Sequence, residues 1–89
     1  MNFSGVYLRK KRTTILGIEI GKDTLEDALK KLKGNQENNI YKIENIAMDL
    51  EEKEYVLDVY IKDGSVMSFY AKDKTLPIDS VFVLTNIYY

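Results

Sequence analysis

The sequence of 89 residues contains no cysteine, no histidine and no tryptophan. Without cysteine or histidine the chain cannot form a zinc site of the usual nitrogen and sulfur kind, a disulfide framework or a thiol nucleophile. The Ser-His-Asp triad and its Cys-His relatives are excluded for the same reason. Paired carboxylates could still act as catalysts, but a cleft around them is hard to build in so short a chain. We therefore expect a protein that is not an enzyme and that holds no cofactor or metal.

Long hydrophobic runs are also missing, since no stretch approaches the roughly 20 apolar residues that span a bilayer. The first basic residue is Arg9, so the N-terminal segment lacks the basic-then-apolar order of a signal peptide. Together with the absence of cysteine, which fits a reducing compartment, these features predict a cytoplasmic protein. The abundance of isoleucine, lysine, asparagine and tyrosine resembles that of proteins from AT-rich bacterial or phage genomes.

The residues that are present are typical of a globular domain. Hydrophobic residues make up 45% and charged residues 30% of the chain, which are ordinary proportions, and the length predicts a single domain over residues 1–89. The net charge of −1 conceals a split along the chain. Residues 1–42 carry nine basic and five acidic side chains (+4), and residues 43–89 carry four basic and nine acidic ones (−5). A fold that keeps these halves apart would have one acidic surface.

A helix is the clearest element, and its spacing predicts that it covers residues 24–33. Its apolar residues recur at intervals of three and four, which places them on one helical face: Leu25, Ala28, Leu29 and Leu32. Asp23 is the expected N-cap, with Glu26 completing a capping box. Gly34 is the expected left-handed residue that ends the helix.

Most of the remaining chain has the composition of strands. Residues 14–20 are predicted to form one strand that leads into the helix, and a strand over residues 5–9 could pair with it. Residues 40–52 fit either a helix or a strand; we prefer a strand, because the following residues would turn it directly into the next one. Residues 81–88 are predicted to form the last strand.

The surest strand pair is a hairpin of residues 55–62 and 65–71. Asp63 and Gly64 join the two strands, and such a pair favours a two-residue type I′ turn. That turn would place three pairs on the core face: Ile61 with Val66, Val59 with Ser68, and Leu57 with Tyr70. Tyr60 and Met67, and likewise Asp58 and Phe69, would then lie on the second face. The whole pattern predicts an α+β, two-layer fold with one main helix on an antiparallel sheet of five or six strands.

Two segments resemble a known type of binding domain. Residues 17–34, with Gly17, Gly21 and the helix that ends at Gly34, resemble the strand, glycine turn and capped helix of small β-lactamase-inhibitor-protein-like domains and of outer-membrane-assembly lipoproteins. Residues 60–70 are similar to the Asp-Gly hairpin in their sheets. The resemblance implies this architecture and a binding role, which in some members is inhibition of an enzyme through the exposed sheet face. The chain has no lipobox cysteine and no second copy of the unit, so neither namesake function carries over.

The acidic segment over residues 49–54 is one candidate binding site. Its carboxylates are Asp49, Glu51, Glu52 and Glu54. They could steer the approach of a basic partner, whereas the simpler interpretation is a solvated turn. An inhibitor or immunity-type protein of a bacterium or phage could use such carboxylates to block an enzyme, for example a nuclease toxin, by mimicking phosphates.

Apolar residues on the second sheet face are the other candidate for partner binding. One helix can cover one face of a sheet, but the C-terminal strand is apolar on both of its faces. The predicted contact residues are Tyr60, Met67, Phe69 and Tyr88. Cross-strand packing is the simpler role for such side chains. We expect binding of another protein, or a homodimer, through this face or the last strand.

A basic segment supports an alternative function. Arg9, Lys10, Lys11 and Arg12 are consecutive, and such residues can contact the phosphates of a nucleic acid. In a strand, however, consecutive side chains point to opposite faces, and basic residues also protect exposed strand edges. A nucleic-acid-binding module is therefore the less favoured prediction.

Overall fold

The computed structural model describes residues 2–8, 13–34, 40–51 and 53–87. Within these ranges the chain forms eight strands and one helix. The strands are β1 (Asn2–Leu8), β2 (Thr14–Ile15), β3 (Ile18–Glu19), β4 (Ile40–Ile43), β5 (Ala47–Asp49), β6 (Glu54–Ile61), β7 (Val66–Ala71) and β8 (Ser80–Ile87); the helix is α1 (Leu25–Gly34).

Six of these strands form the main sheet, in the order β1-β8-β7-β6-β4, and every pairing is antiparallel. Strand β5 pairs with the same edge of β6 as β4 does, further along that strand. Strands β2 and β3 form a separate small hairpin. The predicted α+β fold, with one helix on an antiparallel sheet, is confirmed.

The core lies between α1 and one face of the main sheet. Its fully buried residues come from the helix, the β2–β3 region, the three central strands and the loop before β8: Leu25, Ala28, Leu32, Ile18, Ile20, Leu57, Val59, Phe69, Ala71, Val81 and Ile78. They form a single cluster. Burial of such side chains, at roughly 25 cal/mol per Å² of apolar surface, is the main stabilising contribution.

The predicted helix is confirmed, but the expected residues do not cap its ends. Thr24 is the N-cap: its Oγ1 accepts the Asp27 N–H at 3.1 Å, and the Asp27 carboxylate accepts the Thr24 N–H at 3.1 Å. This reciprocal pair is a capping box one residue later than predicted. Asp23 instead bonds to Glu19 and to a lysine of the helix. Gly34 is the last helical residue, and its φ is not in the left-handed region.

The strand predicted over residues 14–20 is wrong, because the chain reverses in its middle. Leu16 and Gly17 both have positive φ, 54° and 81°, as a two-residue type I′ turn requires. The turn places Ile15 opposite Ile18. The predicted partner of this segment is also different, since β1 pairs with β8 along its whole length.

The hairpin of β6 and β7 exists, but the predicted register is wrong by one residue. Val59 lies opposite Met67, and Leu57 lies opposite Phe69. The cause is a three-residue loop over residues 62–64, in which only Gly64 has positive φ, 94°. The Ser65 N–H donates to Asp63 Oδ1 at 2.8 Å, so the aspartate stabilises this loop without adopting the left-handed conformation of a type I′ turn.

The remaining strand predictions are confirmed. Residues 40–52 contain β4 and β5, not a helix, and β5 turns directly into β6. The C-terminal strand exists as β8 and lies inside the sheet, between β1 and β7. In the part of the chain that the structure describes, no helix is long and apolar enough to cross a membrane.

Candidate functional site: the open face of the main sheet

The face of the main sheet that points away from α1 carries nine side chains of its three central strands. We call this surface the open face. Its positions follow from the alternation of side chains along each strand and from the registers of β6, β7 and β8. The strand pairing arranges them in three rows across the sheet: Tyr60, Val66 and Leu84; Asp58, Ser68 and Phe82; Val56, Tyr70 and Ser80.

The open face is mostly apolar, and no described helix packs on it. Its large apolar side chains are half-buried, and none belongs to the core cluster or to the residues packed against that cluster: Val56, Tyr60, Val66, Tyr70, Phe82 and Leu84. By contrast, the neighbours Phe69 and Val81 on the helix side are fully buried. An apolar patch of this kind commonly marks an interaction site.

A polar pair occupies the centre of the open face. Asp58 and Ser68 are directly opposite each other on β6 and β7, and the Ser68 hydroxyl donates to Asp58 Oδ1 at 2.5 Å. Ser68 is 8% exposed. A hydroxyl that donates to a carboxylate makes a short, charge-assisted hydrogen bond. The pair therefore fixes one carboxylate oxygen within a largely apolar surface.

Charged residues border the open face on the side of β4. Lys42 lies opposite Tyr60, and its ammonium contacts Glu44 Oε1 at 3.1 Å. The hydrogen bond and the negative charge of Glu44 raise the pKa of Lys42 above its ordinary value. Both side chains are well exposed, so this ion pair adds little to stability. The ammonium of Lys42 nevertheless already has a carboxylate partner.

The predicted acidic site lies at one end of the open face. Glu54 precedes Val56 by two residues on β6 and thus shares its face, and Asp49 is its cross-strand neighbour on β5. Glu51 lies in the exposed turn between these strands, where its N–H donates to Asp49 Oδ1 at 3.0 Å. The carboxylates continue the open face toward a more negative end.

The structure places the other predicted contact residues on different sides of the main sheet. Tyr60 lies on the open face, as expected. Phe69 is fully buried and Met67 packs against the core, so the predicted placement of both on the second face is wrong; the register shift of β7 moves them to the helix side. Glu52 and Tyr88, as well as the basic segment Arg9, Lys10, Lys11 and Arg12, lie outside the described residues.

Three open-face residues, Val66, Ser68 and Tyr70, belong to the core face in the sequence prediction, and the register of the hairpin shows that this placement is wrong. A two-residue and a three-residue loop differ by one position in register, and this difference exchanges the faces of every residue of β7. The alternation of side chains along β8 is the sequence signal that indicates which residues share the open face. It separates Phe82 and Leu84 from Val81 and Val83, and the structure has the first pair on the open face and the second on the core side.

Ligation of a metal is not indicated by the described ranges, which hold no cluster of three or more carboxylates suited to an ion. The candidate site is a surface of the sheet. It offers groups for non-covalent binding: aromatic and aliphatic side chains, one central carboxylate and an acidic end. Comparisons of the chain with models of protein families, with curated proteins and with solved structures found no match.

Proposed function

We propose that this chain is a non-enzymatic protein-binding domain and that a partner protein covers its open face. The observation that carries the proposal is the set of half-buried apolar side chains opposite the helix layer, among them Tyr60, Tyr70 and Phe82. Tyrosine and phenylalanine are enriched at protein interfaces. The resemblance of residues 17–34 and 60–70 to inhibitor-type binding domains supports the same role.

The charges around the open face support a basic partner. Asp58 lies at its centre, and Asp49 and Glu54 lie at one end. A cationic surface would complement these carboxylates and would associate faster because of them. We therefore propose an inhibitor or immunity-type protein that blocks an enzyme with a basic cleft, such as a nuclease toxin. The lack of cysteine suits the cytoplasm, which is the compartment we propose for this action.

A matched pair of leucine substitutions tests the proposal. Leu84→Glu introduces a charge into the open face, whereas Leu76→Glu makes the same change in the loop before β8, where Leu76 is 46% exposed. Each variant and the wild type would be immobilised and exposed to a lysate of the cells that encode the protein. We expect one protein to be retained by the wild type and by Leu76→Glu and to be lost with Leu84→Glu, as measured by quantitative mass spectrometry.

Two further measurements make the result decisive. Thermal unfolding must show that both variants remain folded, since loss of binding by an unfolded variant carries no information about the face. Sedimentation of the wild type at about tens of micromolar, in the range of weak protein interfaces, tests self-association. A dimer that Leu84→Glu dissociates would assign the face to a second copy of the chain. A partner that binds Leu84→Glu as well as the wild type would contradict the proposal.

A further inference from the structure

The centre of the open face has a feature that an apolar interface alone does not need. Asp58 carries the central charge, and among the described residues Ser68 is the side chain that hydrogen-bonds to it. That bond reaches Oδ1. A carboxylate has about four acceptor positions on its two oxygens, so water must satisfy much of Asp58 while the face is uncovered.

Docking of a partner would remove this water. A carboxylate that is buried without a compensating partner destabilises a complex strongly, so the occupant of the face must supply hydrogen-bond donors to Asp58. The side chains around Asp58 indicate which kind of donor group fits there. Tyr60 and Val56 flank Asp58 along β6, and Phe82 follows Ser68 in the same row. Aromatic rings beside a carboxylate suit a cation, which gains from both the charge and the ring faces.

From this juxtaposition we infer that the partner inserts an arginine or lysine side chain into the middle of the open face, where it pairs with Asp58. The inference rests on the proposed function and names the chemistry of the partner. Ser68 holds the carboxylate oxygen at 2.5 Å from its hydroxyl, which orients the second oxygen before binding. An arginine can then donate two parallel hydrogen bonds and stack on an aromatic ring.

The same position disfavours a second copy of this chain as the occupant. In a symmetric dimer the same patch meets itself, and a two-fold axis through the centre of the open face would bring two Asp58 carboxylates together. The described lysines that border this face lie at its edges and not at its centre: Lys42 contacts Glu44 at 3.1 Å, and Lys72 lines a cavity with Glu54 and Ser80. Like charges without a cation between them oppose association. A separate, basic partner avoids this repulsion.

Selection of peptides tests the inference with a defined probe. A phage library of random dodecapeptides would be selected on the wild-type protein. We expect the enriched peptides to contain arginine or lysine flanked by apolar residues. Their affinity should fall at least about tenfold for Asp58→Asn, as for loss of one partner of a buried charge pair, and be retained by Leu76→Glu. Asp58→Asn keeps one acceptor oxygen for Ser68, removes the charge and replaces the second oxygen with an NH2 donor.

A matched pair of ligands completes the test. Citrulline has nearly the shape of arginine without its charge, so replacing the selected arginine by citrulline should weaken binding to the wild type and have little effect on Asp58→Asn. Peptides that lose affinity for Leu84→Glu but carry no basic residue would overturn this inference and leave the proposed function standing. Peptides that bind Leu84→Glu unchanged, or no enrichment at all, would count against both.

Discussion

Lys31 and Asp23 form an ion pair, 2.7 Å long, that joins the helix to the small β2–β3 hairpin. The same carboxylate oxygen accepts the Glu19 N–H at 2.8 Å, and the ammonium also donates to the carbonyl of Gly17 at 3.2 Å. The backbone of Asp23 adds a bond from the Ile78 N–H at 2.8 Å. Asp23 thus connects the hairpin, the helix and the loop before β8.

Removal of the Asp23 charge should lower the stability of the fold at neutral pH. It should also make that stability depend less on pH in acid. Burial acts to raise the pKa of Asp23, but the hydrogen bonds from Glu19 and Lys31 outweigh it and hold the pKa below 3.8. A carboxylate with a depressed pKa stabilises the fold above about pH 4, and this contribution is lost as the pH falls through the folded pKa. Asp23→Asn should cost about 1–3 kcal/mol at neutral pH and flatten the loss of stability below about pH 4, as measured by urea unfolding at several pH values.

Adjacent lysines of the helix provide the control for this ion pair. Lys31→Met leaves the mostly buried Asp23 carboxylate without its cation and should destabilise the fold. Lys30→Met makes the same change at an exposed neighbour and should alter the free energy of unfolding by no more than about 0.5 kcal/mol. Equal effects of the two substitutions would show that the ion pair contributes nothing.

Two neighbouring residues of β7 test the register of the main hairpin. Phe69 is fully buried beneath the helix, so Phe69→Ala should cost about 3–5 kcal/mol in free energy of unfolding. Tyr70→Ala removes a half-buried ring from the open face and should cost much less. Chemical denaturation of both variants gives the comparison. A larger loss for Tyr70→Ala would favour the register of a two-residue Asp-Gly turn.

The sequence predicts the layers of this fold better than the details that decide the site. Helical spacing of apolar residues predicts α1, because one buried face imposes that pattern. The β-rich segments on either side of Asp63 and Gly64 predict β6 and β7, and the apolar C-terminal segment predicts β8. The pairing of β1 with β8 is not encoded locally. These strands are adjacent in the sheet but distant in the chain, whereas the sequence predicts a pairing of the first strand with the strand that follows it.

Local sequence signals predict the wrong helix cap and the wrong hairpin loop, because in each case the same residues fit two alternatives. Asp23 and Thr24 are both good N-caps, and the choice depends on Lys31 and Glu19, which compete for the aspartate. Asp63 and Gly64 fit two loop lengths equally well. The hydrogen bond from Ser65 to Asp63 favours the longer loop, and this choice moves Phe69 from the predicted binding surface into the core.

Alanine substitution should have opposite effects at two glycines. Gly64 has a φ of 94°, which an L-residue adopts only at a cost of about 1–2 kcal/mol, so Gly64→Ala should lower the unfolding free energy by about that amount. Gly34 ends the helix, and nothing lies within 4 Å of an added Cβ there. Gly34→Ala should therefore stabilise the protein by about 0.5 kcal/mol. Thermal unfolding of the two variants checks both signs, and destabilisation by Gly34→Ala would contradict the helical assignment of that residue.

The turn between β5 and β6 contains a residue in a costly conformation. Lys53 has a φ of 57°, and its N–H donates to the carbonyl of Asp49 at 2.8 Å. Its side chain is exposed, so substitution removes no core packing. Lys53→Gly should stabilise the protein by about 0.5–1 kcal/mol, since relief of the left-handed backbone exceeds the added entropy of the unfolded chain. Lys53→Ala, which removes the same charge but keeps a Cβ, should give no such gain in denaturant midpoint. An equal gain in both variants would attribute the effect to charge in this acidic turn rather than to the backbone.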